Sequence, residues 1–108
     1  MGKPVGSPYS WQAMHSGKVL DVAYASPDTG ALIIQWDRII DGRRNQQFYL
    51  DPLGGDQFAL RAAHSGKVLD VANASSDNGV QIIQWDWHGG NNQRWKRLPY
   101  AVRIDDSQ

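Results

Sequence analysis

An internal repeat constrains the fold of this chain more than any other feature. The segment HSGKVLDVAYASPDTGALIIQWD (15–37) is followed 49 residues later by HSGKVLDVANASSDNGVQIIQWD (64–86), and 18 of the 23 aligned positions are identical. The flanking segments YSWQAM and FALRAA align more loosely, and YAVRIDDSQ (100–108) resembles the opening of a further copy. We therefore predict one domain with a first unit at about 9–55, a second at about 56–99 and a partial third at 100–108.

The elements inside each unit are short and alternate in the manner of β-strands. In unit two, KVLDVA and QIIQW alternate, which places Trp85 on the face opposite Ile82. The intervening NASSDNG predicts a turn in which Asn78–Gly79 supplies positive φ, and LDPLGGD (50–56) joins the units. No segment has a sustained helical period, so the predicted class is all-β.

Composition excludes several classes of partner. The chain of 108 residues has 11 basic and 11 acidic residues, scattered along its length, which argues against nucleic acid as a partner. No apolar run approaches the length needed to cross a bilayer, and MGKPVGSPYS lacks the apolar region of a signal peptide. We predict no nucleic-acid partner and no membrane insertion; the absence of cysteine leaves the compartment unknown.

The pattern SGKVLDVANASSDNG…IIQWD…GGNNQRW resembles the ricin-type β-trefoil lectin repeat, which also occurs in family 13 carbohydrate-binding modules. The Gln-x-Trp motif of that repeat is matched by Gln93, Arg94 and Trp95, and in unit one by Gln46, Gln47 and Phe48, with phenylalanine in place of tryptophan. The resemblance implies a β-trefoil, in which each of three units gives two strands to a six-stranded barrel and one hairpin to a cap.

The same resemblance implies two carbohydrate-binding sites and no catalysis. Binding in the family uses an aspartate, an aromatic residue and an Asn-Gln pair, which correspond here to Asp21, Trp36, Asn45 and Gln46, and to Asp70, Trp85, Asn92 and Gln93. An indole can stack on the C–H face of a pyranose, a carboxylate can accept from vicinal hydroxyls, and an asparagine can donate and accept. We expect the glutamine to brace the aspartate. The implied ligand is a galactose or N-acetylgalactosamine residue, bound in shallow sites.

One departure leaves the sugar open. Many members carry a glutamine two residues before the hairpin tryptophan, where this chain has Ile34 and Ile83. The alternative function is a trefoil scaffold for protein contact, with the two tryptophans packed in the cap and the two aspartates serving as turn residues. Phe48 and Trp95 are expected to fill the core.

The other residues that could take part in binding or catalysis are interpreted as structural. His15 and His64 occupy equivalent places in different units and are expected to be solvated turn residues, as is His88. Trp87 either packs under its loop or extends the stacking surface. No catalytic, metal or cofactor site is predicted.

The number of barrel strands predicts association. Of the six strands that a trefoil barrel needs, the sequence offers five: YSWQAM, NQQFYL, QFALRA, QRWKRL and YAVRID. It also offers two of the three cap hairpins. Exposed strand edges and an uncovered apolar flank favour association. Three chains carry six units, enough for two trefoils, so a homo-oligomer is predicted, with a trimer favoured over a dimer.

Overall fold

A computed structural model describes residues 6–98, which form seven short β-strands and four 3-10 helices. The strands are β1 (Val19–Val22), β2 (Ile33–Trp36), β3 (Phe48–Gly54), β4 (Gln57–Ala62), β5 (Val68–Val71), β6 (Ile82–Trp85) and β7 (Trp95–Lys96). The 3-10 helices are Ala23–Ala25, Arg44–Gln46, Ala72–Ala74 and Asn91–Gln93. This content confirms the predicted all-β class.

The strands divide into a barrel part and two hairpins. β3 pairs with β4, β4 also pairs with β7, and an isolated bridge joins Tyr9 to Phe48 at the start of β3. The hairpins are β1–β2 and β5–β6, both antiparallel and in equivalent registers. The second hairpin is also paired to β4 through Arg61 and Val68. An isolated bridge between Gln12 and Val19 is the equivalent contact in unit one.

Several predicted strand bounds are wrong. YSWQAM contributes only bridges at Tyr9 and Gln12, and Asn45–Gln46 of NQQFYL belong to a 3-10 helix. QRWKRL is a strand only over Trp95–Lys96, while YAVRID lies outside the described residues. LDPLGGD is the end of β3 and a tight turn, where Gly54 and Gly55 have φ of 101° and 60°. The units are thus joined by a continuous β-hairpin, with two residues between β3 and β4.

The turns between hairpin strands follow the prediction in part. Gly79 has φ of 84°, as expected, but the left-handed asparagine of this connection is Asn73 and not Asn78. The alternation in β5 does not separate a buried from an exposed face either. Val68, Leu69 and Asp70 are all buried, because this strand has neighbours on both of its faces.

The core lies between the barrel strands and the hairpins. Val22, Phe48, Leu60, Ala62 and Leu69 form its buried cluster. Half-buried side chains surround them, including Trp11, Ile33, Ile82 and Trp95. Phe48 is fully buried, as predicted. Trp95 fills the core only in part: it is half-buried on the short strand β7 and packs against the buried cluster, and its Nε1 donates to the Leu69 carbonyl at 3.4 Å.

A buried ion pair stabilises the β3–β4 hairpin. Asp51 is 2% exposed and accepts a hydrogen bond from Arg61 Nη2 at 2.9 Å. A carboxylate removed from water needs such a partner, because its desolvation would otherwise be costly.

The two units meet where the turn of unit one lies against β6 of unit two. Gln84 donates from its backbone to Ala31 O at 2.9 Å, and its own carbonyl accepts from Gly30 N at 2.8 Å. Its side-chain amide donates to Ser26 O and Asp28 O, both at 2.8 Å, and Gln84 is fully buried. We call this contact the unit junction.

His64 corrects a prediction, since it belongs to the unit junction. It is half-buried, and its Nε2 lies 2.8 Å from Ser26 O, so it is not a solvated turn residue. Its counterpart His15 is exposed. Gln35, the counterpart of Gln84, is also exposed, and only its Oε1 has a side-chain partner in the described chain, Ser16 Oγ at 2.9 Å. Within residues 6–98, no helix is long and apolar enough to cross a membrane.

Candidate functional site

Each hairpin buries one aspartate directly opposite an isoleucine of the neighbouring strand. Asp21 pairs with Ile34 across β1 and β2, and Asp70 pairs with Ile83 across β5 and β6. The aspartates are only 5% and 3% exposed. A carboxylate so far from water requires hydrogen-bond donors. The next segment of each unit supplies them.

The donor is the glutamine of each 3-10 helix. Gln46 Nε2 lies 3.0 Å from Asp21 Oδ2, and Gln93 Nε2 lies 2.8 Å from Asp70 Oδ2. The Oδ1 atoms have no donor within residues 6–98. Each aspartate is therefore fixed by one oxygen, and the other is available.

The two glutamines themselves are fully engaged. Gln93 Nε2 also donates to Asp86 O at 2.8 Å, while its Oε1 accepts from His88 N at 2.9 Å. Gln46 repeats this arrangement with Asp37 O and Ile39 N. Both side chains are buried. The expected bracing of the aspartate is present, and the glutamines position other groups from behind the site rather than facing a ligand.

Each asparagine of the Asn-Gln pair fastens its 3-10 helix to the hairpin. Asn45 Nδ2 donates to Val22 O and Asn92 Nδ2 donates to Val71 O, both at 3.2 Å. Asn45 Oδ1 is buried and has no hydrogen-bond partner among the described residues. Both asparagines lie in the walls of the cavities described below.

The hairpin tryptophans are exposed aromatic residues in the two sites. Trp36 ends β2 and is 54% exposed, and Trp85 ends β6 and is 40% exposed. Trp85 lies against the unit junction, since its ring would be 4.0 Å from a Cβ at Gly30. Its indole is therefore supported by the turn of unit one.

These residues line two separate cavities. The cavity of unit one, of about 510 Å³, is lined by Asp21, Tyr24, Leu32, Trp36, Arg43 and Asn45, among others. The cavity of unit two, of about 250 Å³, is lined by Asp70, Asn73, Ile83, Trp85, His88 and Asn92, among others. We call them site one and site two. They share no lining residue, and each brings together the predicted aspartate, tryptophan and asparagine.

The structure adds residues that the sequence analysis missed. Tyr24 in site one and Asn73 in site two have nearly the same left-handed backbone, with φ of 59° and 58°. This position is one of the few at which the repeats differ, and that difference was the available signal. Arg43 also lines site one, and its guanidinium is 3.4 Å from Asp41.

His88 is exposed, as expected, but it has a carboxylate neighbour that the sequence analysis did not predict. Its Nε2 lies 3.8 Å from Asp70 Oδ2, and its Nδ1 accepts from Gly90 N at 3.0 Å. The fold brings this loop residue beside a carboxylate 18 positions earlier in the chain. Gly90 fits tightly underneath, since a Cβ there would be 2.7 Å from His88 Cε1 and 2.8 Å from Asn92 Oδ1.

Trp87 packs under its loop rather than extending the stacking surface. The side chain is half-buried, and the guanidinium of Arg94 lies 5.6 Å from its ring centroid. Arg94 Nε also donates to Gly89 O at 3.0 Å. Of the residues that the structure describes, no group of three His, Asp or Glu side chains could hold a metal ion.

Comparison with protein families identifies a match to the ricin-type beta-trefoil lectin domain-like family, over residues 4–85 and 44–107. Among solved structures, ThreeFoil, a designed 3-fold symmetric protein, is 44% identical with a TM-score of 0.79, over 92% of this chain and 66% of that one. An exo-beta-1,3-galactanase from Clostridium thermocellum is 32% identical with a TM-score of 0.79, over 87% of this chain and 20% of the enzyme.

A third structure, the Polyporus squamosus lectin bound to a human-type influenza-binding epitope, supports the fold alone at 23% identity. Its TM-score is 0.74, over 93% of this chain and 35% of the lectin. The chain thus spans no more than 66% of any of the three. A comparison with curated proteins found no match. These similarities confirm the predicted β-trefoil fold.

Proposed function

Because this chain belongs to the ricin-type beta-trefoil lectin domain-like family, we propose that it is a non-catalytic carbohydrate-binding protein with two sites for galactose or N-acetylgalactosamine residues. The family and the lectins of the same fold support the carbohydrate-binding role. The number of sites, their residues and the sugar are our proposal.

The observation that carries the proposal is the pairing, in each site, of an exposed indole with a braced, buried aspartate. The indole offers an apolar surface to the C–H face of a pyranose. The aspartate Oδ1 can accept from a sugar hydroxyl, and a charge-assisted hydrogen bond of this kind is stronger than a neutral one. Asn45 and Asn92 lie beside these groups in the cavity walls.

The galactose class is supported by sugar chemistry and by one relative. An axial hydroxyl at one ring position gathers C–H bonds into a patch on one face, which suits stacking on a single indole. The relative from Clostridium thermocellum is named for its action on a galactose polymer. We do not assign the catalytic activity of that enzyme to this chain, since the chain spans only 20% of the enzyme. Asp21 and Asp70 also lie in different cavities, which is unlike the carboxylate pair of a glycosidase.

Weak binding at each site is expected. A shallow, hydrated site that yields roughly −4 kcal/mol corresponds to a Kd of about 1 mM. Two sites on one chain would then act together on multivalent glycans, because linked sites gain from high effective concentration.

The test is a titration with a panel of monosaccharides by NMR or calorimetry. Asp21→Ala and Asp70→Ala should each remove one class of site, and the double variant should bind nothing. Asp77→Ala is the matched control, since Asp77 is an exposed turn aspartate that lines neither site. Full binding by the double variant would contradict the proposal. The alternative is a scaffold for protein contact. It predicts that no sugar gives a saturable, aspartate-dependent signal.

We also propose that the chain forms a homo-oligomer, with a trimer favoured over a dimer. The unit junction supports this, because the surface of β6 that binds the turn of unit one has a counterpart on β2, and no turn within residues 6–98 covers that counterpart. Gln35 is exposed where Gln84 is buried, and Ser16 already orients its side chain as Ser65 orients that of Gln84. The turn of unit two, with Gly79 at φ 84°, likewise resembles the turn of unit one, with Gly30 at φ 89°.

The mass in solution tests this association. Light scattering should give a mass above the 12.1 kDa of one chain, and Gln35→Ala should shift association to higher protein concentration. A stable 12.1 kDa species at high concentration would refute the proposal.

A further inference from the structure

The two sites differ at a position where their backbones are the same. Tyr24 has φ 59° and ψ 18°, and Asn73 has φ 58° and ψ 18°. Nearby, Leu32 in unit one is replaced by Gln81 in unit two. The frame of aspartate, tryptophan and asparagine is shared. Site one also has Arg43 in its lining and site two has His88, so the apolar side chains Tyr24 and Leu32 are two of the differences between the sites.

Tyr24 is in a conformation that disfavours it. Left-handed backbone suits glycine and asparagine, while a bulky side chain there is strained. Asn73 is the kind of residue that this backbone favours. Tyr24 is 100% exposed, so no packing within residues 6–98 compensates for the strain. A strained, solvent-exposed aromatic residue at the rim of a binding cavity suggests a role in binding.

The cavity of site one has the lining and the volume for a role of Tyr24 in binding. Tyr24, Leu32 and Trp36 all line it, and its volume of about 510 Å³ is twice the roughly 250 Å³ of site two. Site two is lined by one large aromatic side chain, Trp85, and by the imidazole of His88, which lies beside Asp70. Two aromatic rings offer two stacking surfaces, and one pyranose placed on Trp36 would use only the first.

We propose that site one binds a glycan of at least two residues, with Tyr24 stacking on the second pyranose, whereas site two binds the terminal residue alone. This inference rests on the proposed carbohydrate-binding function. It makes Tyr24 a residue that determines specificity for chain length.

The experiment compares a monosaccharide with a disaccharide at each site separately. Asp70→Ala isolates site one, and Asp21→Ala isolates site two. The probes are methyl β-galactoside and a β-1,3-linked galactose disaccharide, titrated by calorimetry or NMR. At site one the disaccharide should bind roughly fivefold to tenfold more tightly than the monosaccharide, as expected for one added aromatic contact. At site two the ratio should stay within about twofold, because Asn73 offers no ring.

Two variants of Tyr24 then test the residue itself, each combined with Asp70→Ala so that only site one binds. Tyr24→Asn, which copies site two, should reduce the preference to that of site two, while Tyr24→Phe should retain it because the ring remains. Equal ratios at both sites, or an unchanged preference in Tyr24→Asn, would overturn this inference and leave the carbohydrate-binding proposal intact. Absence of binding to either sugar at both sites would overturn both.

Discussion

Gln84 and Gln35 are glutamines at equivalent positions of the two repeats, and we predict that replacing each with alanine has very different effects on stability. Gln84→Ala deletes two hydrogen bonds to the carbonyls of Ser26 and Asp28 and one from Ser65 Oγ. At about 1 kcal/mol for each bond, and with a buried cavity left behind, the free energy of unfolding should fall by about 3–4 kcal/mol. Gln35→Ala removes one exposed bond and should cost under about 0.5 kcal/mol.

Urea unfolding followed by tryptophan fluorescence measures both variants. The measurement belongs at low protein concentration, where self-association does not contribute to stability. The loss in Gln84→Ala is a large share of the roughly 5–15 kcal/mol typical of a domain. Its melting temperature should fall by about 10–20 °C. Equal losses in the two variants, or a loss below about 1 kcal/mol in Gln84→Ala, would refute our account of the unit junction.

Three further predictions concern single positions. Gly90→Ala should weaken sugar binding at site two several-fold and leave site one unchanged in the same titration, because a Cβ there would displace His88 or Asn92. Arg61→Ala should lower the free energy of unfolding by about 2–4 kcal/mol in a urea melt, since it leaves Asp51 buried without its ion pair; a loss under about 1 kcal/mol would contradict this. Tyr24→Asn should raise that free energy by about 0.5–1 kcal/mol by relieving left-handed strain, and a decrease would count against the strain.

The repeated motif was sufficient to predict the centre of each site. Asp70, Trp85 and Asn92 recur at spacings typical of the family, and local strand and turn preferences bring them together. The bracing glutamines were predictable for the same reason. The opposite faces of β6 also follow from alternation, which places Ile82 against the core and exposes Trp85.

Contacts across long separations could not be predicted in this way. His88 faces Asp70 only because the hairpin and the loop fold together, and no local pattern indicates that pairing. His64 and Gln84 look identical to His15 and Gln35 in sequence, yet within residues 6–98 only the second unit has a neighbouring turn against it. Trp95 was expected in the core because its side chain is large, whereas its place on a short edge strand leaves it half-buried. QFALRA was predicted with the observed bounds of β4, whereas QRWKRL was predicted too long, and β3 begins and ends later than NQQFYL. Strand ends depend on which residues find a pairing partner, which the sequence pattern alone does not indicate.

The hairpin that joins the two units has a consequence for the order of folding. β3 and β4 close across two residues, whereas each of the other hairpins closes across ten. Since loop-closure entropy rises with loop length and local contacts form fastest, we expect this hairpin to form early. Early formation would appear in folding kinetics as higher φ-values, the share of a mutation's destabilisation already present in the transition state, in β3–β4 than in β1–β2. The first native contacts would then link the two repeats before either repeat is complete. A chain that is modular in its sequence would thus have a folding nucleus at the boundary between its modules.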